Sequence, residues 1–127
     1  MKDHSNSVMY CNVDLFPCYI AFTTSQKALE RDCKKLFHVN LEFPKDGCAC
    51  VYSLYREDDK SDTVIIMIYN RGEPKALYRE TALIAHEAVH VWQYFKENIN
   101  ETGHCPEVEA SVVGQVTQMI LSWLGYK

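Results

Sequence analysis

No stretch of this 127-residue chain approaches the roughly 20 consecutive apolar residues that a membrane-spanning helix requires, so no membrane partner is expected. The opening residues, Met1 to Ser7, are polar, and the apolar positions after them are interrupted by Asn12, Asp14 and Pro17. Nothing there has the pattern of a signal peptide, and a cytoplasmic location is the expectation. Concentrated positive charge is missing too. The formal net charge is −4, lysines and arginines are scattered, and there is no Gly-rich phosphate loop. Phosphate contacts need clustered cations, so this balance argues against a nucleic-acid surface. Lys27, Arg31, Lys34 and Lys35 make one basic helical face, best read as solvation. The chain has no internal repeat and no linker, and its length suits one modest core, giving a single domain over 1–127. Nothing in the sequence fixes an oligomeric state.

What the chain does contain is the composition of a folded globular protein, 47% hydrophobic and 24% charged, which separates it from disordered chains. Its six cysteines, at 11, 18, 33, 48, 50 and 105, read as free thiols in the absence of export signals. Cys48 and Cys50 share one face of a strand, as a metal pair would, but no second pair completes such a site. Cys18 to Thr23 is rich in aromatic and β-branched residues and reads as a strand. Thr24 or Ser25 then caps a helix to about His38, with Ala28, Leu29, Cys33, Leu36 and Phe37 on one stripe. Pro44 and Asp46-Gly47 mark a turn, and strands follow at 48–56 and 62–69. Two further helices occupy the C-terminal third. The class is therefore α+β, a small, mostly antiparallel sheet packed on helices.

The chemistry concentrates in His86-Glu87-Ala88-Val89-His90, within an apolar, helix-periodic run. Histidines four apart on a helix face the same way, so both imidazoles reach one Zn²⁺. Glu87 lies on the same rim, where a carboxylate takes a proton from water. A Lewis acid beside a general base is what peptide hydrolysis needs. From Ala82 to Trp92 every residue except those three is apolar. The motif is accordingly expected to be buried, where unpaired polar groups would cost roughly 2–7 kcal/mol each. Trp92 points away from the metal and is expected in the core, as is Trp123.

Zinc of this type takes a third protein ligand and keeps one position open. Glu109 is favoured: it follows His90 by 19 residues and continues the stripe Val112, Val116, Ile120 and Leu124 backwards along the last helix. Glu107 falls on the other side and suits the helix dipole. His104 and Cys105 remain alternatives. A further donor is required for the developing oxyanion, and His104, Tyr94 and Tyr126 are the candidates.

Glu80 to Gln93, followed by Gly103-His104-Cys105-Pro106-Glu107-Val108-Glu109-Ala110, resembles the compact zincin-like metallopeptidases of tailed bacteriophages and prophages. In that family an Ala-His-Glu-x-x-His-x-Trp-Gln helix is followed by a loop and a proline-led acidic segment ending in Glu-Ala-Tyr. The likeness extends, more weakly, to Pro17–Ser25. It implies a minimal gluzincin-type fold with the motif on a central helix, His86, His90 and Glu109 as zinc ligands, and Glu87 as base. Ser111 stands where the family usually has tyrosine, a departure that leaves the ligand set alone and alters its surroundings. The resemblance also implies an edge strand bordering the active cleft and holding an extended peptide or protein substrate. The run 62–69 is slightly favoured over 48–56 for that edge, although its continuous apolar composition also suits a central strand. A phage protein of this kind would act in the host cytoplasm or travel in the virion.

Two other readings use the same residues. A non-catalytic protein would keep zinc to stabilise its fold or a binding groove, although a structural zinc prefers four protein ligands and has no use for Glu87. A zinc amidase acting on cell-wall peptide would use the same activated water.

Overall fold

The computed structural model describes residues 6–12, 18–55, 63–98 and 106–126. Within them the chain runs through strands β1 (Met9–Asn12) and β2 (Cys18–Thr23), then helix α1 (Gln26–Asp32), which widens into a π-type segment over Cys33–Phe37. Strands β3 (Ala49–Tyr55) and β4 (Thr63–Tyr69) precede helices α2 (Leu77–Asn98) and α3 (Pro106–Trp123). The architecture is α+β, with helices packed on an open, mostly antiparallel sheet of order β1-β2-β4-β3. The pairs β1–β2 and β3–β4 are antiparallel, and β2–β4 is parallel.

Strand β4 explains this arrangement. All seven of its residues are buried, because successive side chains enter opposite layers. Ile65, Met67 and Tyr69 pack with α2 and α3, whereas Val64, Ile66 and Ile68 pack with Leu29, Cys33 and Phe37 beneath α1. Fully burying each large apolar side chain contributes roughly 1.5–3 kcal/mol. Paired to β2 on one side and β3 on the other, β4 is central, which corrects the expectation that 62–69 borders the cleft. The edge on that side is β3, paired only to β4 among the described strands.

Local signals account for most boundaries. The Ser25 hydroxyl accepts from the Ala28 N–H at 3.1 Å and caps α1, so Ser25 rather than Thr24 starts the helix. The helix then closes on His38, whose φ of 54° is left-handed. Gly47, at φ 77°, makes the turn before β3 and donates to the Asn70 carbonyl at 2.8 Å. Strand β1 was not expected. Its four residues, Met-Tyr-Cys-Asn, are too few to show a period, and pairing with β2 is what extends them. The five cysteines among the described residues are free. No helix among the described residues is long and apolar enough to cross a membrane.

Candidate functional site

Helix α2 buries Glu80, Ile84, Glu87, Ala88, Val91, Trp92 and Phe95, a stripe with the period of an α-helix. Phe95 and Val91 are fully enclosed, and Trp92 joins the same core, as expected. Trp123 is half-buried and meets Phe22 edge-on, with ring centroids 5.6 Å apart. The motif straddles the margin of this stripe. Glu87 falls within it and is 7% exposed, while His90 is half-buried and His86 exposed. Full burial of the motif is therefore corrected for the histidines. Alanines fill much of the apolar run around them, and Ala82 tolerates solvent at little cost.

The two imidazoles converge as their spacing requires. Their ring centroids lie 5.0 Å apart with the planes at 78°. The Nδ1 of His90 lies 2.9 Å from Oε1 of Gln93. Where Nδ1 donates to that carbonyl oxygen, Nε2 is left as the lone-pair nitrogen, the form a metal ligand needs. Gln93 sits three residues on from His90, one helical turn away.

Glu87 lies beside both rings. Burial pushes its carboxyl above the ordinary glutamate range, against the opposing pull of His90 and then His86. No hydrogen-bond donor reaches this carboxylate among the described residues. A buried polar group calls for a partner, and water, an ion or a residue outside the described ones can supply it. The donor chemistry fits zinc in these respects: adjacent imidazoles, one of them in contact with a glutamine side chain, and beside them an acid with no hydrogen-bond donor among the described residues.

Convergence stops at the third ligand. Glu109, in the first turn of α3, is half-buried above Val112, Val116 and Ile120, while Glu107 is exposed, as the stripe requires. No group of three His, Cys, Asp or Glu side chains is gathered as for a metal among the described residues. His104 and Cys105 lie outside the described residues. Cys48 is exposed and Cys50 half-buried, with no such group around them either.

A groove of about 440 Å³ opens beside Glu87, within the range of small-ligand and peptide-side-chain sites. Glu87, His90, Gln93, Tyr94 and Glu97 of α2 form one wall, and Ala49, Cys50 and Val51 of β3 form the other. The Asn70 N–H donates to the Cys48 carbonyl at 3.0 Å, which sets the ladder's phase. Residues 50, 52 and 54 then bond to β4, and Ala49, Val51 and Ser53 turn their N–H and C=O groups outward. Two of those three, Ala49 and Val51, line the groove.

Tyr94 also lines it, so this candidate oxyanion donor stands beside the site. Tyr126 does not. Its hydroxyl donates to Oε1 of Glu80 at 2.6 Å, while Tyr69 donates to Oε2 at 2.6 Å and Arg71 to both oxygens, at 2.8 and 3.2 Å. Burial acts to raise the Glu80 pKa, but the bonds from Tyr126, Tyr69 and Arg71 outweigh it and hold the carboxyl below the usual range. Sequence reasoning assigned Glu80 no role. Its signal was available, since Glu80 precedes Glu87 by seven residues and so lies on the same buried stripe. Gln93 and Glu97 were equally readable as neighbours of His90 on one helix face.

Comparison with protein-family models, curated proteins and solved structures gives no match to the chain in any of the three.

Proposed function

We propose that the chain is a zinc-dependent peptidase, with His86, His90 and Glu109 as metal ligands and Glu87 as general base. The observation that carries this reading is Glu87: a buried carboxylate lacking a hydrogen-bond donor among the described residues, flanked by paired imidazoles and opening on a groove walled by a strand edge. A purely structural metal has no use for such an acid. On the same reading the chain belongs with the compact phage and prophage metallopeptidases whose motif it resembles, and it works in a cytoplasm, where its cysteines stay reduced.

When bound, zinc supplies Lewis acidity at the scissile carbonyl and lowers the pKa of water towards neutrality. The rest belongs to the chain. Gln93 holds the His90 ring in its ligating tautomer. The outward amides of Ala49 and Val51 bind an extended peptide as an added strand, which aligns its carbonyl beside Glu87. Glu87, made more basic by burial, accepts a proton from water and delivers it to the leaving amine. Tyr94 is the candidate among the described residues that can donate to the developing oxyanion from the groove wall.

Glu87→Gln tests the reading directly. The amide keeps the shape but cannot accept the proton, so zinc content and fold should persist while hydrolysis falls by about 10²–10⁴-fold. A panel of peptides, peptidoglycan fragments and folded proteins separates peptidase from cell-wall amidase. Unchanged turnover in this variant would remove Glu87 from the chemistry.

A further inference from the structure

The last acid of the groove wall, Glu97, stands apart from the catalytic group. It follows His90 by seven residues on α2, so it lies about 10 Å further along the same face. A peptide running along the α2 wall of the groove advances about 3.3 Å per residue, so Glu97 would stand level with a side chain about three residues from the scissile bond.

Three observations make this carboxylate unusual. It is exposed, and no cation pairs with it among the described residues. It sits in the final turn of α2, where the helix dipole disfavours an anion, while its neighbour Lys96 already supplies the favoured charge. The wall facing it is made of small and neutral side chains, Ala49, Cys50 and Val51, so the groove has room beside a carboxylate that no cation among the described residues neutralises. Glu87, the other acid of the groove, adds to the negative field there.

We propose that Glu97 selects a lysine or arginine side chain of the bound peptide about three residues from the scissile bond. This rests on the reading of the groove as the peptide site. The basic side chain extends along the strand-facing wall, and its cation pairs with the carboxylate at the helix end.

Binding tests this separately from hydrolysis. Fluorescein-labelled extended hexapeptides carrying lysine, norleucine or glutamate at each position in turn are titrated by anisotropy against the full chain with chelator present. Lysine should bind about fivefold more tightly than norleucine at one position, the upper end for a solvent-accessible ion pair. That preference should vanish in Glu97→Gln and reverse towards glutamate in Glu97→Lys. Equal binding of lysine and norleucine at every position, or a lysine preference that survives Glu97→Gln, would overturn the assignment. The same peptides are then assayed for cleavage with zinc. A Glu97-dependent binding preference without cleavage keeps the selectivity and removes the peptidase; cleavage without the preference does the reverse.

Discussion

Single side chains decide whether α2 is a metal helix or an ordinary amphipathic one. Gln93 is the most informative of them, because its carbonyl oxygen fixes the His90 ring without touching the metal position. Second partners of ligating histidines are typically worth 10–100-fold in metal affinity. Gln93→Ala should therefore weaken zinc binding by about that factor in a chelator-competition titration, while Gln93→Glu, which still accepts from Nδ1, should restore most of it. An unchanged affinity in the alanine variant would make the 2.9 Å contact incidental. The histidines and Glu87 were legible at this scale because the i, i+4 spacing is set by helix geometry alone. Their unequal exposure was not: it depends on where the sheet edge falls against α2, which no local pattern encodes.

Between elements, the Glu80 cluster ties the end of β4, the start of α2 and the segment after α3 to one carboxylate. Glu80 is 1% exposed, and its folded pKa lies below its ordinary value. A depressed carboxyl contributes stability that is complete above its unfolded pKa, about 4.3, and is lost as pH falls through the folded value. Parent and Glu80→Gln proteins should thus differ most near neutrality, by roughly 1–3 kcal/mol, and the difference should shrink in urea titrations as pH falls through the folded carboxyl's depressed pKa. The Arg71 side chain is 41% exposed, so solvent screening keeps its part of this small. A difference that grows in acid would contradict the sign. Strands β2 and β4 and all three helices could be read from periodicity and caps, because each carries its own apolar face. Strand β1 and the edge position of β3 could not, since both are set by which strand pairs with which.

Taken whole, the molecule is a sheet buried on two sides, with α1 beneath and α2 and α3 above, and the motif lies where α2 overhangs the β3 edge. That overhang sets Glu87 and His90 in a groove walled by β3, where the proposed function places the base and the peptide. The pattern places the two candidate ligands of α2 from one helix, but a third ligand requires two helices to agree, and the candidate Glu109 stands half-buried in the first turn of α3. Zinc is expected to draw that carboxylate in and so couple metal binding to the packing of α3. The direct test is elemental analysis of the full chain purified without chelator, beside His90→Ala, Glu109→Ala and Glu107→Ala. One zinc per chain is expected in the parent and in Glu107→Ala, with sharp loss in the other two. A parent free of zinc after zinc reconstitution, or full zinc in His90→Ala, would contradict the metal site on which the account rests.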